Sequence, residues 1–168
     1  MKQLDNLNVL VLDDHKNMRL LWRNILLAFG IRNVIESDNA EDAFLVVQNQ
    51  PVDLVIVDYH LEGLTGAEFI AMLRRAPDSP APYLPAIACT ADTRRTILRL
   101  LVDSGVDEVL AKPVSAEQAW KKLSTVIMKR RPFIRAPGYV GPDRRRRVNA
   151  HYNGPDRRLN EPVERKVV

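Results

Sequence analysis

Apolar and polar positions alternate between two periods along the first three quarters of the chain. Short apolar runs at Asn8-Val9-Leu10-Val11-Leu12, Leu54-Val55-Ile56-Val57, Ala86-Ile87-Ala88-Cys89 and Glu108-Val109-Leu110-Ala111 read as strands covered on both faces. A shorter run, Asn33 to Glu36, reads as a fifth. Between them lie segments of helical period. The first runs from His15 to about Ala28, with Leu20, Leu21, Ile25 and Leu27 on its apolar face and Gly30 as its stop. The second opens at Asp38-Asn39-Ala40-Glu41 and ends near Gln50, before Pro51. Thr65-Gly66-Ala67-Glu68 and Ser115-Ala116-Glu117-Gln118 read as capping boxes, opening helices to about Arg75 and Arg130. A further helix spans Thr93 to Asp103, and the four prolines between Pro77 and Pro85 make the segment before the fourth strand an extended loop. Strands alternating with helices predict one α/β domain, a doubly wound, five-stranded parallel sheet with right-handed crossovers.

Charge divides the chain differently. Residues 1–128 hold 13 Lys/Arg against 17 Asp/Glu, a net −4, while residues 129–168 hold 12 against 4, a net +8. The overall +4 therefore belongs to the tail, which points to an anionic partner. From Lys129 the apolar periodicity ends and five prolines punctuate the rest. The expectation is a domain over residues 1–128 and a disordered or ligand-ordered tail over 129–168. No apolar run approaches a membrane span, and the first residues carry no apolar signal region, which places the chain in the cytoplasm. The single Cys89, in a core strand, reads as a buried thiol in a reducing compartment.

The chemistry gathers at the ends of the strands. The first ends in Asp13-Asp14, the third in Asp58, the fourth in Thr90 and the fifth in Lys112-Pro113. Ligands of open α/β sheets bind at that edge. Neighbouring carboxylates repel unless a cation joins them, and oxygen donors of this kind suit Mg²⁺. Any one of these residues alone is an ordinary strand terminus; the four strand ends in order are not.

These residues, at this spacing, resemble the receiver domain of response regulators, the CheY-like family, over residues 5–128. The resemblance implies a flavodoxin-like sheet of order 2-1-3-4-5 and a signalling module rather than an enzyme. It implies that Asp58 accepts a phosphoryl group from a histidine kinase or phosphotransfer protein. Asp13, Asp14, Asp58 and the backbone carbonyl of His60 would hold Mg²⁺, Lys112 would pair with the phosphoryl oxygens, and Thr90 would turn toward them. A cis bond at Lys112-Pro113 is also implied. The aromatic residue common three positions before the lysine is Val109 here, so phosphorylation is expected to be read out differently, weakly or not at all. The family's partner face would include Arg94, Arg95, Arg99, Lys121 and Lys122, with Trp120 as partial core at its edge. His15 reads as an exposed first-turn residue, and His60 as a solvated loop residue.

The tail contains a repeat: Tyr139-Val140-Gly141-Pro142-Asp143-Arg144-Arg145 recurs as Tyr152-Asn153-Gly154-Pro155-Asp156-Arg157-Arg158. Arginine reads guanine or pairs with phosphate, aspartate accepts from the guanine edge, and tyrosine offers a stacking face. Two such units suit a ligand with two guanines and two phosphates. The tail resembles that of a group of CheY-like proteins that bind cyclic di-GMP and act at the bacterial flagellar motor. On that resemblance the ligand residues are Tyr139, Asp143, Arg144, Arg145, Arg146, Arg147, Tyr152, Asp156, Arg157 and Arg158. The partner would be a motor switch protein, with recruitment to the flagellar pole or motor. Nucleic acid or another anionic surface is the alternative tail ligand.

Overall fold

The computed structural model describes residues 4–144 and the backbone of 164–166. A short 3-10 turn at Leu4–Asn6 leads into β1 (Asn8–Leu12), followed by α1 (Lys16–Ala28), β2 (Asn33–Ser37), α2 (Ala40–Asn49) and β3 (Leu54–Asp58). Next come α3 (Gly66–Arg75), β4 (Ala86–Thr90), α4 (Arg95–Ser104), β5 (Glu108–Ala111) and α5 (Ala116–Met128). The strands form one parallel sheet in the order β2-β1-β3-β4-β5. Alternate residues of each strand supply two separate cores. Leu10, Leu12, Val55 and Val57 pack under α2, α3 and α4, against Val47, Phe69, Ile70 and Leu101. Val9, Val11, Leu54 and Ile56 pack under α1 and α5, against Trp22, Leu26, Leu123 and Val126. That double burial is why these strands read as unbroken apolar runs.

Local chemistry starts the helices nearly where the sequence places them. Thr65 and Glu68 form the reciprocal capping box of α3. The Ser115 hydroxyl accepts from the Gln118 amide at α5, the forward half of the box. At α2 the cap is Asn39 rather than Asp38, because the Asn39 side chain accepts from the Asp42 amide one residue further on. Helix α4 starts at Arg95, two residues later than expected. Its entry is tied up by Thr90, whose hydroxyl accepts from Asp92, and by Asp92, whose carboxylate accepts from Arg94.

The tail departs from expectation. Residues just past α5 form a hairpin, β6 (Phe133–Ala136) and β7 (Tyr139–Pro142), with Ala136 opposite Tyr139 across Pro137-Gly138. Gly138 has φ +74, the left-handed conformation that a Pro-Gly turn places at its second position. Strand β8 (Glu164–Lys166) pairs antiparallel with the other edge of β6. The segment is ordered because it buries Phe133, Ile134 and Val140, which three apolar residues among prolines and arginines do not announce as a periodic pattern. Phe133 sits between two guanidinium groups, Arg74 and Arg130, each 5.0 Å from its ring centre, and meets Tyr83 edge-on.

Beneath Phe133 lies a buried ion network. Arg74 is fully buried in α3 and donates to the carbonyls of Gly105 and Pro82 and to Asp107 Oδ2. Asp107 also accepts from the Ala86 amide and from Arg130, and the Arg131 guanidinium donates to its carbonyl. Burial pulls the Arg74 guanidinium down to about 10, opposed by the Asp107 charge. Arg74 therefore stays charged at neutral pH, and Asp107 supplies the opposite charge that its burial requires. Removing one partner of a buried pair leaves an uncompensated charge, so Asp107→Ala should cost about 3–5 kcal/mol. Urea unfolding of the two proteins measures this, and a loss below about 1 kcal/mol would show the network to be peripheral.

Candidate functional site

The parallel register carries the chemistry to one edge. Asp58 lies opposite Cys89, and Thr90 opposite Ala111, so the ends of β3, β4 and β5 are flush. Lys112 reaches back over that edge. Its Nζ lies 2.8 Å from Asp58 Oδ1 and 3.2 Å from Asp13 Oδ2. Asp13, Asp58 and Thr90 are buried. Main-chain bonds hold the frame: the Lys112 amide donates to the Thr90 carbonyl and the Tyr59 amide to that of Cys89. Arg19 donates from α1 to the carbonyls of Asp13 and Asp14. The Lys112-Pro113 bond is cis.

Gly66 is the point of closest approach. A Cβ there would collide with the carbonyl oxygen of Asp58, and the Gly66 amide donates to the Tyr59 carbonyl at 2.8 Å. The first residue of α3 is thus packed directly on the backbone that aims Asp58.

Burial pushes the Asp58 carboxyl above its ordinary value; Lys112 pulls it down and Asp13 pushes it up. Burial also opposes the charged form of Lys112, but Asp58 and Asp13 together outweigh it and raise the ammonium. Asp13 Oδ1 accepts from the His15 amide at 2.9 Å. Asp14 Oδ1 is buried and makes no hydrogen bond, although His15 Nδ1 stands 2.6 Å away. Oxygens of Asp13 and Asp14 and a His15 nitrogen lie within 4.8 Å of one another. A buried carboxylate oxygen left without a hydrogen bond, beside a second carboxylate, fits a hard cation. Asp58 is not in that cluster; its Oδ1 is paired with Lys112.

Other expected residues fall out as follows. Thr90 does not face Asp58; its hydroxyl is bonded within its own loop, to Asp92. His60 is exposed beyond β3, in a bridge with Thr65. His15 is exposed at the N-cap of α1, and its imidazole near Asp14 was not foreseen. Val109 is half-buried against the core beneath α3 and α4. Trp120 is 41% exposed and stacks obliquely on Phe29 at 5.0 Å. On the expected partner face, Arg94 pairs with Asp92, Arg99 with Asp103, and Lys122 with the buried Glu108, while Arg95 and Lys121 are exposed.

In the tail, the first repeat is docked on the receiver end of α4. A Cβ on Gly141 would lie 2.6 Å from Gly105 Cα, so two glycine backbones touch there. The Tyr139 hydroxyl donates to the Pro142 carbonyl, and Arg144 lies 4.0 Å above the Tyr139 ring. The Asp143 amide donates to Pro132, and its carbonyl accepts from Arg131. Arg145, Arg146, Arg147, Tyr152, Asp156, Arg157 and Arg158 lie outside the described residues. Arg74, Asp107 and Phe133, which anchor the hairpin, were not singled out from the sequence; the Pro137-Gly138 turn was the signal available.

Residues 9–124 match the family model described as response regulator receiver domain. The chemotaxis protein CheY-3 of Vibrio cholerae is 26% identical over 121 residues, which is 72% of this chain and 92% of that protein. The chemotaxis protein CheY of Pseudomonas aeruginosa is 25% identical over 120 residues, 71% of this chain and 95% of that protein. A solved structure of Vibrio cholerae CheY4 superposes with a TM-score of 0.66 at 25% identity, covering 72% of this chain and 98% of that one. Among the described residues no helix is long and apolar enough to cross a membrane.

The raised Asp58 carboxyl has a consequence for stability. Between its unfolded and folded values the folded state binds more protons, so stability falls as pH rises through that window. Above it, ionised Asp58 is a cost. Asp58→Asn should therefore raise the denaturation midpoint at pH 7, and the gain should shrink as pH falls into the carboxylate range. Thermal melts of both proteins from pH 4 to pH 8 measure this; a variant less stable at pH 7 would show that the Lys112 pair outweighs burial.

Proposed function

The chain belongs to the response regulator receiver family, and from that premise we propose that it is a phosphoacceptor whose tail binds cyclic di-GMP. Asp58 is the acceptor. One carboxylate oxygen attacks the phosphorus of a phosphohistidine on the kinase or phosphotransfer protein, forming an acyl phosphate as the P–N bond breaks. Lys112 then meets the transferred oxygens, and its ammonium, already between Asp58 and Asp13, offsets their charge. Thr90 must leave Asp92 to reach the phosphoryl group, so in this state it is not yet in its bound position. Receiver domains typically bind Mg²⁺ at an acidic pocket, where the ion neutralises developing phosphoryl charge. Here Asp13 and Asp14 would hold it, with Asp58 and the His60 carbonyl completing the set.

For the tail, the observation that carries the reading is the Tyr139–Arg144 stack within a Tyr-x-Gly-Pro-Asp-Arg-Arg unit that the sequence repeats. A stacked guanidinium is a ready platform for a base, and two units match two guanines. Binding would place a liganded tail beside α4 and β5, the face offered to a partner. The partner we infer is a flagellar motor switch protein, which would recruit the protein to the motor. Lys122 is held by Glu108, so Arg95 is the cleaner probe of that contact.

Two experiments test this. With Mg²⁺ and a small phosphodonor, Asp58 should be labelled and Asp58→Asn should not; equal labelling in the variant would move the acceptor elsewhere. In calorimetry, Asp143→Ala with Asp156→Ala should weaken cyclic di-GMP roughly tenfold or more, the loss of a base-edge pair. The same variant is more basic and should bind RNA more tightly. Unchanged cyclic di-GMP affinity, or equal affinity for cyclic di-AMP, would replace the guanine reading with a nucleic-acid or purely electrostatic tail.

A further inference from the structure

Where the hairpin meets the receiver it leaves a cleft of about 150 Å³. One side is formed by Val102 of α4 with Val106 and Val109 at β5, together with Asp107 and Glu108, whose carboxylates are paired with Arg74 and Arg130 and with Lys122; the other carries Tyr139, Arg131 and Arg144. These polar groups differ in how firmly they are held. The Tyr139 hydroxyl is bonded to the Pro142 carbonyl, and Arg131 is committed to the main-chain carbonyls of Asp143 and Asp107. Arg144 is not committed in the same way. Its guanidinium stacks on Tyr139, and among the described residues it pairs with Asp103 Oδ1 at 2.8 Å, near the end of α4. Both side chains of that pair are 41% exposed, so water screens it and it is weak.

We propose that this cleft is the receiver half of the nucleotide site, and that Asp103 is an internal competitor for Arg144. This rests on the cyclic di-GMP reading above. The guanidinium is already stacked on one face and oriented by a carboxylate that a ligand oxygen can replace. A guanine of cyclic di-GMP stacks on the open face of Arg144, and a phosphate oxygen of the same ligand takes the donors now turned to Asp103. The apolar wall of Val102, Val106 and Val109 covers the rest of the ring system. The hairpin need not move, because Phe133 and the Gly105–Gly141 contact anchor it independently of Arg144. Ligand binding thus exchanges a bond to α4 for a bond to the nucleotide, which ties the tail's ligand to the receiver itself.

The test is calorimetric titration of cyclic di-GMP into the full chain, as wild type, Asp103→Ala, Arg144→Ala and the double variant. Releasing a weak exposed pair predicts about two- to fivefold tighter binding for Asp103→Ala. Arg144→Ala should bind roughly tenfold more weakly or worse, and in that background Asp103→Ala should add nothing. Glu41→Ala, an exposed site on α2 at the far edge of the sheet, removes the same charge and should leave affinity unchanged. An equal gain from Glu41→Ala, or a gain from Asp103→Ala that persists without Arg144, would overturn the competitor. Unchanged affinity in Asp103→Ala with a binding wild type would remove the receiver from the site and leave the tail reading standing. No heat from cyclic di-GMP with any of the proteins would sink both.

Discussion

Lys112 holds its ammonium between two buried carboxylates, Asp58 and Asp13, that come from different strands. Everything around it serves to bring those groups into range. The parallel register makes the strand ends flush, the Lys112 amide is bonded to the Thr90 carbonyl, and Gly66 admits α3 onto the Asp58 backbone. The arrangement is costly by position: burial raises the Asp58 carboxyl, and the lysine, helped by the Tyr59 backbone amide, favours the ionised form. A carboxylate so placed is poised to react with an electrophile and is surrounded by charges that can be reassigned when it does. The adjoining carboxylates of Asp13 and Asp14 belong to the same logic, since a cation between them would offset two neighbouring negative charges.

A second ionic centre sits at the other end of the same strands. Asp107 precedes β5, accepts from the first amide of β4, and receives Arg74 and Arg130. Phe133 closes over it between the two guanidinium groups. Acceptor chemistry and tail anchorage are therefore built at opposite ends of β4 and β5. The same pair of strands carries both, so a tail docked on Asp107 is attached to the element that also carries Thr90 and Lys112.

The first repeat unit has a structural duty as well as its proposed one. Its glycine lets the hairpin backbone touch Gly105, and its tyrosine bonds back to the proline three residues on. Such a unit is not a free peptide appended to a domain. Its arginine is presented by a fixed tyrosine, which lowers the ordering cost that a fully flexible ligand-binding tail would bear.

The parallel sheet and its edge of polar strand ends were legible because they follow from local chemistry and from a period, while the strand order came from the resemblance to the receiver family. Short apolar runs between helical segments read as parallel strands, three of them inner and one, β5, at the sheet edge, and the polar residues that end them mark the site edge. Thr65 and Glu68 could be paired from spacing alone, since a capping box is closed within four residues. Thr90 could be placed at the edge but not oriented, because its hydroxyl chose Asp92, two residues on. His15 beside Asp14 depended on how one loop turns. The hairpin was missed for a different reason. Phe133, Ile134 and Val140 show no period of their own, and their burial depends on Arg74 and Asp107, far away in the chain. Arg74 in an amphipathic helix reads as a surface cation until Asp107 meets it. Composition and period determined the alternation of strands and helices and the placing of polar residues at strand ends, because those are properties of neighbours in sequence. Tertiary structure alone decided which charges are buried together, because that requires partners that only folding brings within a few ångströms.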